Sequence, residues 1–105
     1  MKTEEFVKAF YSEKQNFLKE YLSEKSETEV AQLIKSLNLT NQQSEIMKKV
    51  LDSSFTDIFY SILLGLDGSA SIGGIQEMFD LKDENGNQLS GEIEGYAYEY
   101  FQENK

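Results

Sequence analysis

The apolar positions of residues 1–66 recur at intervals of three and four residues, and this spacing predicts three helices. The first is expected over residues 3–23. The second and third should begin at capping-box patterns, at 26–29 and 40–43, and the second should end near Asn38. The apolar stripe of the first helix consists of Phe6, Val7, Phe10, Tyr11, Phe17, Leu18, Tyr21 and Leu22.

The second half of the third predicted helix is apolar on nearly every side, with Asp57 and Tyr60 as polar interruptions. Such a pattern is typical of a buried central helix. Four of the seven glycines lie within residues 62–74. Gly65 or Gly68 is expected to end the helix in a left-handed conformation.

Residues 75–82 alternate in polarity and predict a β-strand followed by a tight turn. A two-residue Asn-Gly loop would place Lys82 opposite Leu89. A three-residue loop, with Gly86 left-handed, would place Leu81 opposite Leu89 instead. We favour the second register because it pairs apolar residues on one face of the hairpin.

Residues 91–104 are compatible with two structures. A helix would align the apolar side chains on one side, whereas a strand would explain the alternating tyrosines at 96, 98 and 100. Ser90 as an N-cap, with Glu92 and Glu94 in the first turn, favours the helix.

These elements predict a single α+β domain over residues 1–105. The length is enough for one hydrophobic core and too short for two. Residues 1–66 would form three N-terminal helices. Residues 67–105 would form a β-hairpin and a C-terminal helix.

The formal net charge of −9 is distributed unevenly along the chain. Residues 67–105 hold nine carboxylates and two lysines, whereas residues 1–40 and 41–66 each carry a net charge of only −1. A surface of this sign should repel nucleic acid and anionic membranes and attract a cationic protein.

The start of the chain has two early glutamates and no long apolar run, which argues against a signal peptide. The best apolar run, 58–66, is about half the length needed to cross a bilayer. We therefore expect a cytoplasmic protein with no membrane contact.

The composition argues against most catalytic chemistry. With no histidine and no cysteine, the chain cannot form a Ser-His-Asp triad or a thiolate site. The glycine-rich segment 68–74 lacks the lysine of a phosphate-binding loop. Residues 83–94 resemble a calcium loop, but Gln88 stands where that loop needs glycine. We expect no enzymatic activity, no cofactor and no bound metal.

The remaining candidate site combines carboxylates with tyrosines in the last third of the chain. Tyrosine offers rigid contact area, and carboxylates steer a basic partner. The predicted partner-binding residues are Asp80, Asp83, Glu84, Glu92, Glu94, Tyr96, Tyr98 and Glu99. The alternative is a structural or regulatory module that self-associates through the aromatic stripe of the first helix.

Three turn-forming segments, 63–68, 73–76 and 81–86, carry a resemblance over residues 58–102. They resemble those of small uncharacterised bacterial proteins of the domain-of-unknown-function kind, some of which are immunity proteins of toxin systems. The resemblance implies no catalytic residue. It implies an immunity-like role, in which the acidic surface would bind a basic protein.

Overall fold

The computed structural model describes residues 1–103 and is entirely helical. Its helices are α1 (Thr3–Tyr21), α2 (Glu29–Ser36), α3 (Asn41–Leu66) and α4 (Ile93–Tyr98), and a π-helical turn (Glu99–Glu103) continues α4. The predicted α+β class is wrong, because residues 1–103 contain no strand and only two isolated β-bridges. Of the two alternatives for residues 91–104, the helix is confirmed over residues 93–103, and residue 104 lies outside the described residues.

The hydrophobic core lies where α1, the C-terminal half of α3 and the last helical segment meet. Its centre consists of Val7, Leu63, Ile93, Ala97 and Phe101, all of which are buried. Half-buried aromatic residues surround this centre, namely Phe6, Phe10, Tyr11, Phe59, Tyr60, Tyr96 and Tyr100. The aromatic stripe of α1 is therefore used mainly within the molecule.

A buried lysine adds a polar link between α1 and α3. The Nζ atom of Lys14 lies 2.7 Å from a carboxylate oxygen of Asp52 and 5.4 Å from the centre of the Tyr11 ring. Both contacts compensate the cost of removing the ammonium from water.

The two helix starts behave differently. At α3, the hydroxyl of Thr40 accepts from the N–H of Gln43, whose side chain accepts from the N–H of Thr40, as predicted. At α2, the N-cap is Thr28, and the predicted cap at Ser26 is wrong. Ser26 is buried instead, and its hydroxyl donates to the carboxylate of Glu20.

The predicted β-hairpin is replaced by an irregular loop over residues 67–92. Its turn has the favoured register, since the N–H of Leu89 donates to the carbonyl of Leu81 and Gly86 has a φ of 84°. The pairing stops there because residues 71–80 are exposed throughout, with no neighbouring strand to extend the ladder. The Ser90 hydroxyl instead donates to the Phe79 carbonyl and accepts from the Leu81 N–H.

The two ends of this loop are joined by the side chain of Asp67, which is 5% exposed. Its carboxylate accepts from the N–H groups of Gly91, Ile93 and Glu94 at 2.5, 3.0 and 3.0 Å. Asp67 thus caps α4 from a distant point in the sequence, and the predicted N-cap, Ser90, does not. A carboxylate at this position also complements the positive end of the helix dipole.

The third helix is only partly buried, contrary to the prediction of a central core helix. It ends as expected, with Gly68 left-handed at a φ of 77°. Leu63 and Thr56 face the core, but Ile46, Val50, Ile58 and Ile62 are exposed. One side of α3 therefore packs against the rest of the molecule, and the other side is apolar and open.

None of the helices found in residues 1–103 combines the length and the apolar character that crossing a membrane requires.

Candidate protein-binding surface

The outer face of α4 presents a carboxylate and a tyrosine one turn apart. Ile93 and Ala97 point into the core, which leaves Glu94 and Tyr98 on the outside of the helix. Tyr98 is 55% exposed. Within residues 1–103, neither Glu92 nor Glu94 forms an ion pair. Their charges are therefore available to an incoming cation.

A tyrosine of α3 joins this face. Burial raises the pKa of the Tyr60 hydroxyl above its ordinary value, and the nearby charge of Glu94 and the Tyr98 hydroxyl raise that pKa further. Tyr60 therefore lies close enough to Glu94 and Tyr98 for their charges to affect its ionisation. The sequence gives no direct signal of this cluster, because it assembles only when α4 packs against α3.

A second tyrosine cluster forms beside the first turn of α1. The Tyr100 hydroxyl donates to the carboxylate of Glu4 over 3.1 Å. This hydrogen bond raises the pKa of Tyr100, and burial and the charge of Glu99 act in the same direction. The structure thereby adds Glu4, which the sequence analysis did not single out, to the predicted residue Glu99.

The acidic residues of the loop are used differently from those of α4. Asp83 accepts from the N–H groups of Asn85 and Asn87 and from the Met1 ammonium at 2.6 Å. The contact with the ammonium, followed by those with Asn87, holds the pKa of Asp83 far below its usual range. Asp83 therefore organises the turn and is not an open charge.

Asp80 is also partly neutralised. Its carboxylate lies 3.3 Å from the Nζ atom of Lys82, and its pKa is lowered by hydrogen bonds from Gln88 and then Lys82. Glu84 is exposed at the tip of the turn.

The predicted site residues therefore fall into two groups, one on α4 and one in the loop. The α4 group contains Glu92, Glu94, Tyr98 and Glu99. The loop group contains Asp80, Asp83 and Glu84, and is tied to α1 by the Met1–Asp83 contact and by a hydrogen bond from the Thr3 hydroxyl to the Leu89 carbonyl. Tyr96 is half-buried against the core and contributes less surface than predicted. We call the α4 group, with Tyr60, Tyr100 and Glu4, the acidic tyrosine surface.

Residues 1–103 contain no group of three or more carboxylate side chains arranged to hold a metal ion. A surface groove of about 600 Å³ lies between the end of α1, α2 and the start of α3. It is remote from the acidic tyrosine surface, and its lining combines apolar residues such as Ile34, Leu39 and Met47 with Lys35 and Lys48.

No family model, no curated protein and no solved structure matches the chain. The resemblance of residues 58–102 to small bacterial proteins therefore remains a prediction from the sequence, and the site has to be interpreted from its own chemistry.

The titration of Tyr60 tests whether its hydroxyl lies close to the charge of Glu94. We expect Glu94→Gln to lower the pKa of Tyr60, because the substitution removes a neighbouring negative charge. The pKa is measured by NMR from the resonances of the tyrosine rings. Comparison with the Tyr60→Phe variant identifies the resonance of Tyr60. Since a raised pKa disfavours tyrosinate in the folded state, stability should fall as the pH rises from about 10, the unfolded value, through the folded pKa. An unchanged Tyr60 titration in Glu94→Gln would contradict the proposed cluster.

Proposed function

We propose that the chain is a non-enzymatic, cytoplasmic protein-binding domain that presents the acidic tyrosine surface to a basic protein. The observation that carries this proposal is the placement of Glu94 and Tyr98 on the outer face of α4, beside Tyr60 and without an ion pair to residues 1–103. Carboxylates of this kind accelerate encounter with a cationic partner, and the tyrosines supply contact area once it has docked.

The charge of the whole chain supports this choice of partner. A net charge of −9 repels nucleic acid and anionic lipid at long range. An immunity-like role toward a cationic toxin, as the sequence resemblance implies, is one form that this binding would take.

The alternative of self-association through α1 finds only part of its predicted interface exposed. Phe10 contacts Phe59, and Tyr11 contacts Phe101, with ring centroids 6.1 and 5.5 Å apart. These faces are occupied within the molecule. Self-association through α1 would therefore have to use the exposed part of the stripe at Phe17.

The proposal is tested by capture on the immobilised chain from a lysate of the cells that produce it, with elution in a salt gradient. We expect a basic protein to elute sharply, because added salt screens charges across an interface. The Glu92→Gln, Glu94→Gln, Glu99→Gln triple variant should lose this protein.

The matched control is a second triple variant that also removes three negative charges, but from another part of the molecule. Glu13, Glu24 and Glu27 are exposed residues of the N-terminal part, and their replacement by glutamine also removes three negative charges. This control variant should retain the partner. Equal loss from both triple variants would show that only net charge matters, and equal retention would contradict a site on α4.

A further inference from the structure

A small pocket lies between α1, α3 and the π-helical turn, and its volume is about 270 Å³. Glu94 and Tyr98, on the outer face of α4, do not line it. We call it the lysine pocket. The side chains of its lining that matter here are Tyr11, Lys14, Lys48, Asp52, Thr56 and Phe101.

Lys14 places a buried ammonium in the wall of the lysine pocket. Its side chain is 7% exposed, and its Nζ atom lies 2.7 Å from a carboxylate oxygen of Asp52. An ammonium carries three N–H donors, and within residues 1–103 Asp52 is the one hydrogen-bond acceptor that Lys14 contacts. Because buried donors without an acceptor are costly, the remaining donors favour acceptors located in the pocket.

Thr56 supplies a second polar group that the protein does not use. The residue is 3% exposed, and its hydroxyl makes no hydrogen bond with any group of residues 1–103. No fully enclosed side-chain oxygen or nitrogen in that part of the chain lacks a partner, so this hydroxyl must open onto the pocket. A threonine within a helix often bonds the carbonyl one turn earlier. Thr56 does not, and its hydroxyl is free to bind a ligand.

The lysine pocket favours an anion although the molecule is acidic. Its charged lining consists of two lysines and one aspartate. Lys48 lies one turn before Asp52 and two turns before Thr56, so these side chains follow one side of α3. Within residues 1–103 Lys48 forms no ion pair, whereas Asp52 is paired with Lys14. One positive charge of the pocket is therefore left uncompensated.

Aromatic side chains form the apolar part of the lining. The ring centroid of Tyr11 lies 5.5 Å from that of Phe101 and 5.9 Å from that of Tyr100. Ligand sites for drug-sized molecules usually measure about 300–1,000 Å³, so this pocket suits a smaller molecule. Its chemistry calls for an anionic group joined to a compact apolar body.

We propose that the lysine pocket binds a small organic carboxylate with an aromatic body. The carboxylate accepts hydrogen bonds from Lys14, Lys48 and Thr56, and the body lies against Tyr11 and Phe101. Hydrogen bonds between charged groups are stronger than neutral ones, which gives the ligand its orientation. This site is independent of partner capture through the acidic tyrosine surface.

The probe is benzoate, which is titrated into the isotope-labelled full chain and followed by NMR. We expect saturable shifts centred on the amides of Thr56 and Phe101, with a dissociation constant of about 1 mM. Benzamide keeps the ring without the charge, and inorganic phosphate keeps a charge without the ring. Each should bind at least about tenfold more weakly than benzoate.

Three results of this titration would overturn the proposal. The first is the absence of saturable shifts up to about 20 mM benzoate, well above the expected dissociation constant. The second is an affinity for benzamide or phosphate equal to that for benzoate. The third is a set of shifts centred on Ile34 and Leu39, because these residues line the groove beside α2, which Lys48 also borders.

Two pairs of measurements separate ligand recognition from structure. Thr56→Val keeps the shape of the side chain, and because the hydroxyl has no protein partner, stability should be unchanged or higher while benzoate affinity falls at least about threefold. Lys48→Gln should weaken binding about tenfold. Lys49→Gln is its matched control, since Lys49 is also exposed but does not line the pocket.

Lys49→Gln should bind benzoate like the wild type. Unchanged affinity in Thr56→Val and Lys48→Gln would overturn the lysine pocket as the binding site. Equal loss in Lys48→Gln and Lys49→Gln would show that net charge alone is sensed and would overturn it as well. Neither result bears on partner capture by α4.

Discussion

Replacement of Asp67 by alanine is expected to lower the free energy of unfolding by about 3–5 kcal/mol. The Asp67 carboxylate accepts three backbone N–H groups at the start of α4, and the Ser69 hydroxyl donates to it as well. Alanine would remove the acceptor of these donors, of which the Ile93 N–H is buried and the others are part-buried. The loss is a large fraction of the 5–15 kcal/mol that typically stabilises a domain.

Urea denaturation followed by circular dichroism measures this effect. Asp80→Ala is the matched control, because Asp80 belongs to the same loop but its side chain is 69% exposed. We expect the control to change stability by less than about 1 kcal/mol. If Asp67→Ala were as stable as Asp80→Ala, Asp67 would not be the residue that joins the two ends of the loop.

Replacement of Phe101 by alanine is expected to cost about 3–5 kcal/mol of stability. Phe101 is 2% exposed, and its ring lies 5.5 Å from that of Tyr11 and 6.4 Å from that of Phe59. The side chain thus connects the π-helical turn to α1 and α3. Its removal would leave a cavity between three elements.

The matched control for Phe101 is Tyr98→Ala in the same helical segment. Tyr98 is 55% exposed, so its truncation should change stability by less than about 1 kcal/mol and should weaken partner binding instead. The same denaturation experiment compares both variants. A larger loss of stability in Tyr98→Ala than in Phe101→Ala would contradict the assignment of inner and outer faces.

The periodic segments show how far local pattern predicts structure. The first helix was expected over residues 3–23 and is observed at Thr3–Tyr21, and the Thr40 cap is confirmed. Both depend on side chains within one or two helical turns. Such local physics can be read from the sequence because no distant partner is involved.

The loop of residues 67–92 shows where prediction from local sequence pattern fails. Alternating polarity in residues 75–82 favours a strand, but a strand also needs a neighbour and a face to bury, and residues 71–80 have neither. Ser90 was expected to cap α4, yet its hydroxyl is engaged with Phe79 and Leu81. Asp67 does the capping from the other end of the loop, a long-range contact that spacing along the chain does not reveal.

The third helix shows a different limit of prediction from the sequence. Apolar residues on all sides predict a buried helix, but the same composition is found here in a helix with one core face and one exposed face. Only the positions of α1 and α4 distinguish the two. They cover Thr56 and Leu63 and leave Ile58 and Ile62 open.

The spatial grouping of the candidate site residues could be predicted from the sequence only in part. Glu94, Tyr98 and Glu99 come together on or beside the outer face of α4, whereas Asp83 serves the turn and Tyr96 faces the core. Tyr60 and Glu4 were missed because they reach the surface from α3 and α1. A site assembled from three helices needs the packing of those helices to be known.

Binding through the acidic tyrosine surface is best tested by the association rate constant of the captured basic protein, measured at increasing salt concentration with wild-type chain and both triple variants. We expect the wild-type rate to fall at least about tenfold between low and high salt. The variant lacking Glu92, Glu94 and Glu99 should start near the high-salt rate, and the variant lacking Glu13, Glu24 and Glu27 should follow the wild type. A rate that does not depend on salt, or equal rates for the two variants, would contradict binding through the acidic tyrosine surface.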